Sequence, residues 1–263
     1  MAQLFRALGI ALLMSFALGV AQAADGPDCS RPLTLALHEH GLLYSSDTGG
    51  GIDKDVADEL IKRSGCKVIV SVMARARIWQ VIESGALDFS LSGISNEQRE
   101  AFAGFAWYFS NKYYLLARKD AGVRQLSDFE KNTRLQLGVI RSFRYSKNAN
   151  EFVDRLSAEN RVIYASGLDP LYELLALNRI QGMIIEPFDY SQVAGSPVRD
   201  LTMIVDTRDD PVPHGLIMSK KSLSATEQAK WRALVDDMRR DGTMLHIFGK
   251  YFSADLAATM VNF

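Results

Sequence analysis

One pattern limits this chain more than any other. Strand-length apolar runs alternate with amphipathic helical stretches, and the alternation is written twice. Leu33 to His38 (LTLALH) reads as a buried strand bounded by Pro32. A Gly-rich loop then leads into a helix from Asp53 to Ser64, with Ile52, Val56, Ala57, Leu60 and Ile61 on one face. Asp53 and Asp55 at its start and Lys62 and Arg63 at its end complement the helix dipole, and Gly65 stops it. Lys67 to Met73 is a second strand, Ile78 to Ser84 a short helix, and Leu87 to Ser92 a third strand. After the strand Tyr113 to Arg118 the series restarts: strand at 135–140, helix at 149–156, strand at 162–165, helix at 170–177 and strand at 182–186. A short strand at 216–218 and helices at 225–239 and 243–252 close the chain.

Strand, helix, strand in that order requires mainly parallel sheets, so the fold class is α/β. Two such units, joined by strands near 112–119 and 211–220, imply two lobes about a cleft. Ligands of open α/β sheets sit at the carboxyl ends of the strands, and such clefts close by hinge motion.

The first 23 residues read as a cleaved secretory leader. Arg6 supplies the positive start, Leu8 to Val20 is an apolar stretch too short to span comfortably, and Ala21-Gln22-Ala23 is a small-x-small cleavage pattern. An exported, periplasmic chain that is not membrane-embedded after cleavage is expected. The formal net charge is −1, and loss of Arg6 makes it −2, so there is no bulk attraction to nucleic acid or anionic lipid. Cys29 and Cys66 each precede a strand that starts on the same sheet edge. In an oxidising compartment a disulfide between them is the default.

The most chemical segment is Gly85 to Tyr108. A buried strand emerges into a polar loop and reaches Arg99 ahead of an aromatic cluster. A fixed guanidinium beside small hydroxyls and backbone amides suits a carboxylate. His38 and His40 share one face of an extended chain, but no third ligand with clear spacing follows, so no metal and no cofactor are expected. No Walker loop, dinucleotide fingerprint, nucleophile elbow or HExxH occurs. Trp79, Trp107 and Trp231 fall in core-like apolar patterns.

Four segments together resemble the periplasmic solute-binding proteins of polar amino acid uptake, solute-binding family 3. They are Gly51-Ile52-Asp53-Lys54-Asp55-Val56-Ala57, Ser84 to Asp88, Gly93 to Arg99 followed by Phe105, and Asp241-Gly242-Thr243 with Lys250-Tyr251-Phe252. The resemblance implies the type II two-lobed binding-protein fold. Residues 24–116 with 215–263 would form one lobe and 117–214 the other. It also implies a small carboxylate-bearing ligand, an inner-membrane ABC permease as partner, and a monomer.

By the same resemblance Arg99 grips the ligand carboxylate, assisted by Ser92, Gly93 and Ser95. Glu186 offsets an ammonium and Tyr44 is the aromatic after the first strand. The chain departs from the family pattern at several of these positions. Glu186 stands where Asp is usual and Asn96 where Thr is usual. Arg75, with Arg77 nearby, replaces the stacking aromatic of the first lobe. Arg141-Ser142-Phe143-Arg144-Tyr145 replaces a Gly-rich loop, and His38-Glu39-His40 a strand-end Asp. Arg75, Arg99 and Arg144 in one cleft favour an acidic amino acid or dicarboxylate, unless Arg75 and Arg77 are exposed helix-start residues. Some proteins of this fold are cyclohexadienyl dehydratases with a buried acid, which leaves an enzyme reading through Glu186. A sensor input protein would share the same lobes.

Overall fold

The computed structural model describes residues 26–263; the leader at 1–23 lies outside them. The first sheet has the order β2-β1-β3-β10-β4. It contains β1 (Leu33–Leu37), β2 (Val68–Val72), β3 (Phe89–Gly93), β4 (Ala103–Asn111) and β10 (Val212–Ser219). The second has the order β7-β6-β8-β5-β9. Its strands are β5 (Tyr114–Arg118), β6 (Leu137–Ile140), β7 (Val162–Ala165), β8 (Gly182–Ile185) and β9 (Thr202–Asp206). In each sheet the three strands linked through helices pair in parallel, and the strand that crosses between lobes joins them antiparallel.

Helices α1 (Ile52–Ser64), α2 (Arg75–Ser84) and α3 (Glu97–Phe102) belong with the first sheet. With the second are α4 (Leu126–Lys131), α5 (Lys147–Ala158), α6 (Leu168–Ala176), α7 (Pro187–Ala194) and α8 (Val198–Leu201). Helices α9 (Ala225–Arg240), α10 (Thr243–Gly249) and α11 (Ala254–Val261) return to the first sheet. There, Val56 and Leu60 of α1 pack with Trp231 and Val235 of α9 and Phe248 of α10 over Leu35, Phe89 and Tyr108. Its other face is covered by Ile78, Trp79 and Ile82 of α2. The second sheet is sandwiched in the same way, by Phe152 and Leu156 of α5 on one face and Leu171 and Leu175 of α6 on the other.

Two glycines act through backbone geometry. Gly51 opens α1 at φ 140°, where a Cβ would come within 2.4 Å of the Leu43 carbonyl oxygen. Gly85 ends α2 in the left-handed region, at φ 79°. The disulfide Cys29–Cys66 is present, with Cα atoms 4.9 Å apart. It ties the chain before β1 to the segment between α1 and β2.

The chain passes between sheets at 112–113 and at 207–211. Val212, Pro213 and His214 pair with Asn111, Ser110 and Phe109 of the first sheet. Tyr114, Leu115 and Leu116 pair with the second. Apolar runs continue through both hinge strands, so neither crossing is marked by a break in the sequence pattern. The helix expected at 243–252 ends at Gly249, and a further helix follows it at Ala254–Val261. Ser253 restarts the helix by accepting a bond from the Leu256 amide.

Candidate functional site

Four strand ends meet across the cleft. β1 delivers His38-Glu39-His40 and β3 delivers Ser92-Gly93-Ile94. From the opposite lobe β6 delivers Arg141 to Tyr145, and β8 delivers Glu186. A central cavity of about 20 Å³, lined among others by His38, Arg75, Ser92, Gly93, Arg99 and Glu186, lies between them. That is room for about one water molecule. Phe143 separates it from a cavity of about 360 Å³ beside Ser166 to Pro170. On the other side lies one of about 410 Å³ beside Trp79, Arg144 and Asn150.

Arg75 is the first residue of α2 and is buried in the cleft. It donates to the Leu91 carbonyl at 3.1 Å and to His38 Nε2 at 2.9 Å. A guanidinium can only donate, so His38 accepts at Nε2 and is neutral. Burial, with Arg75 and His40 adding to it, holds its pKa well below the ordinary value. Arg77 is exposed, and its guanidinium bonds to Gln80 on its own helix.

Arg99 is held by α3, whose first turn is capped by Asn96 accepting from the Arg99 amide at 2.8 Å. Its guanidinium lies 4.0 Å from the centre of the Trp79 ring. It donates to the Ile94 carbonyl at 2.9 Å and, across the cleft, to the Ser142 carbonyl at 2.9 Å. Burial and the neighbouring charges of Arg75 and Arg144 push its pKa down to about 9. Among the described residues neither Arg75 nor Arg99 has a carboxylate within 4.0 Å.

Ser92 sits in the left-handed region, at φ 51°. Its hydroxyl donates to Asp53 Oδ1 at 2.5 Å, and its amide donates to the Tyr108 hydroxyl at 2.9 Å. Burial pushes the Asp53 carboxyl up to about 6, against the lowering effect of the Ser92 bond. Gly93 is required by packing, since a Cβ there would meet Ile217 Cγ1 at 2.3 Å.

Glu186 is engaged on both oxygens. Oε1 faces His40 Nε2 at 2.7 Å and Oε2 accepts from Asn111 at 2.6 Å. Burial alone would raise its pKa, but the His40 and Asn111 bonds outweigh that and hold it low. His40 is raised because Asp189 and Glu186 outweigh its desolvation. Asp189 is raised by burial and by Glu186 beside it. His214 bonds the Tyr113 hydroxyl at 2.8 Å, and burial pushes its pKa down to about 3.

Of the residues expected at a site, His38, Arg75, Ser92, Gly93, Arg99, Arg144 and Glu186 line one cavity. Arg144 is partly exposed and lies 3.5 Å from Asp154. Two residues depart. Tyr44 is packed in the first-lobe core, because the turn after β1 folds its ring inward. Ser95 is half-buried and lines none of the three cavities, because the short loop turns into α3 at the next residue. Phe143 is the cleft aromatic instead, 5.0 Å from the His40 ring and 5.9 Å from the His38 ring. Asp53, Asn111 and Asp189 join the site beyond the residues the sequence marks as ligand-binding. Asp189 carries a recognisable signal, an acid two residues after a Pro that opens a helix; Asn111 carries none.

Two α/β lobes meeting at their strand ends over a charged cleft define a two-lobed type II binding-protein fold. The chain belongs to the bacterial extracellular solute-binding proteins, family 3, whose profile matches residues 41–254. Its fold is similar to that of the arginine-, lysine-, histidine-binding protein ArtJ from the thermophilic bacterium Geobacillus stearothermophilus. Identity is 16%, covering 84% of this chain and 95% of that one, with a TM-score of 0.71. It is also similar to a histidine kinase sensor domain, at 13% identity, coverage of 85% and 96%, and a TM-score of 0.71. A third is the ancestral amino acid-binding protein AncCDT-1, a precursor of cyclohexadienyl dehydratase, at 17%, coverage of 84% and 95%, and 0.69. At these identities the likeness concerns the fold. No curated relative matches the sequence. No helix among the described residues is long and apolar enough to cross a membrane.

Proposed function

We propose that the protein is an extracytoplasmic solute-binding protein, not an enzyme, and that it captures a small ligand with two carboxylates, such as a dicarboxylate or an acidic amino acid. Delivery to an inner-membrane ABC permease completes the reading. The observation that carries it is the pair of buried guanidinium groups, Arg75 and Arg99, lining the central cavity with no carboxylate in salt-bridge contact among the described residues, Asp53 and Glu186 acting on Arg75 only from further off. A desolvated cation without a counter-ion is costly, and a ligand carboxylate relieves that cost with charge-assisted bonds. Arg144 adds a third positive group from the facing lobe. These three arginines argue against a basic amino acid.

Glu186 supports a dicarboxylate over a zwitterion, since both its oxygens already have protein donors. The same bonds keep it ionised, which removes support for a dehydratase acid at that position. We assign residues 26–111 and 212–263 to one lobe and 112–211 to the other. Since the central cavity holds about one water molecule, ligand enters as the lobes part and is enclosed as they close.

A thermal-shift panel of the twenty amino acids, C4 and C5 dicarboxylates, aromatic precursors and polyamines tests this. A true ligand at a hundredfold its Kd adds about 2.7 kcal/mol, hence several degrees. Shifts with glutamate, aspartate or a dicarboxylate are expected. Shifts confined to neutral or basic amino acids would overturn the charge argument, and turnover of an aromatic precursor would overturn the binding-protein reading.

A further inference from the structure

We propose that His40, Glu186 and Asp189 form a site for one divalent transition cation of the zinc, manganese or cobalt kind, built jointly by the two lobes. All three side chains are buried, and their ligand atoms lie within 4.8 Å of one another. His40 follows β1 in the first lobe, whereas Glu186 and Asp189 flank the start of α7 in the second.

The arrangement asks more of one nitrogen than a proton can give. His40 Nε2 lies 2.7 Å from Glu186 Oε1 and 3.2 Å from Asp189 Oδ1. A single N–H serves one acceptor well, and it serves Glu186. Asp189 Oδ1 is buried with no hydrogen-bond partner among the described residues. The other oxygen, Oδ2, is occupied by the Glu186 amide at 3.1 Å, which fixes where Oδ1 points. A buried carboxylate oxygen left without a donor is expensive. A cation placed between the three groups satisfies it, together with Glu186 Oε1 and the imidazole lone pair.

Charge and geometry agree. Neutral imidazole with two carboxylates carries −2, the complement of a divalent ion. One nitrogen and two oxygens suit zinc, manganese or cobalt, whereas calcium takes six to eight oxygens. A tetrahedral ion with bonds of about 2.0–2.1 Å spaces its ligand atoms by about 3.3 Å. The Asp189 contact already has that spacing, and the Glu186 contact reaches it by a small side-chain rotation. Asn111, bonded to the other Glu186 oxygen at 2.6 Å, orients that carboxylate from outside. On binding, Nε2 releases its proton to solvent and its freed lone pair bonds the cation, while the imidazole carries its proton at Nδ1, which has no protein partner among the described residues to lose.

Cobalt is the probe, because it reports its own ligands. Chelator-stripped protein titrated with Co²⁺ should saturate at one equivalent, with visible bands of a four- or five-coordinate nitrogen–oxygen site, and Zn²⁺ should abolish them. His40→Gln and the near-isosteric Asp189→Asn should each weaken Co²⁺ binding at least tenfold. Cobalt binding is read with no carboxylate ligand present, so this site and the anion site fail separately. Absence of saturable bands in the unaltered protein would overturn the proposal. So would undiminished binding in the two variants, and the unaltered protein decides the matter if either variant misfolds.

Discussion

Replacing Arg99 by methionine separates the ligand role of this residue from any structural one. Its pKa falls from the ordinary 12.5 to about 9 in the cleft, which corresponds to about 5 kcal/mol by which the site disfavours the charge. Methionine fills similar space without that charge and keeps the apolar contact with Trp79. Two carbonyls, Ile94 and Ser142, lose a donor, at about 1–3 kcal/mol for each that stays dry. These terms oppose one another, so ligand-free stability should change by no more than about 3 kcal/mol. Ligand binding has no such offset: losing a charge-assisted hydrogen bond costs about 1.5–3 kcal/mol, or about 10- to 150-fold in Kd. Isothermal titration with the best carboxylate of the panel gives the second quantity, and urea unfolding without ligand gives the first. Unchanged affinity in a folded variant would refute the assignment of Arg99 as the carboxylate grip. Collapse of the ligand-free protein would show that the residue is there to hold the lobes together.

Three further outcomes follow from the geometry. Gly41 has φ 48°, and a Cβ there would lie 2.5 Å from the Phe188 carbonyl of the facing lobe. Gly41→Ala should therefore hold the cleft more open, seen as a larger radius of gyration by X-ray scattering and weaker ligand binding; an unchanged radius would contradict this. Asp53 has a folded pKa of about 6 against 3.8, so the folded state holds a proton that the unfolded state has lost. Its contribution to stability is present at low pH and falls by about 3 kcal/mol as pH rises from about 4 to 6. Asp53→Asn should accordingly look more favourable at pH 8 than at pH 4 in urea titrations, and equal effects at both would contradict the burial argument. Reducing the Cys29–Cys66 bond frees a loop of sequence separation 37, worth about 4 kcal/mol, so Tm should drop by roughly 8–16 °C; an unaltered melting curve after verified reduction would contradict it.

Much of the scaffold is legible in the sequence because strands buried on both faces carry unbroken apolar runs and helices carry a period near 3.6. β9 escapes this logic: Thr202–Asp206 lies at a sheet edge and exposes Met203 and Ile204, so it has no clear period. α7 escapes because its start, Glu186-Pro187, reads equally as the end of a strand. At the site, Arg99 is legible from its position in a motif. Arg75 is legible only as one of two readings, because a guanidinium at a helix start looks the same whether it faces water or a cleft. Tyr44 shows the reverse, since an aromatic after a strand satisfies a core and a cleft alike. The His40–Glu186 contact joins residues 146 apart, and no local pattern encodes such a pairing.

Across the cleft Arg99 meets the second lobe through the main-chain oxygen of Ser142, not through a side chain. That residue is in a left-handed turn, at φ 63°. The latch therefore depends on how the chain bends there and not on which residue it carries, provided that residue tolerates the bend. Residues 143 and 144 beside it are then free to be rewritten for a new ligand without rebuilding the clasp, whereas Tyr145 is packed in the second-lobe core. Glycine or asparagine at 142 should preserve it, whereas a β-branched residue should break it. The loop is in effect an interchangeable tip on a fixed fastening, which makes it the place to begin redesigning what this protein captures.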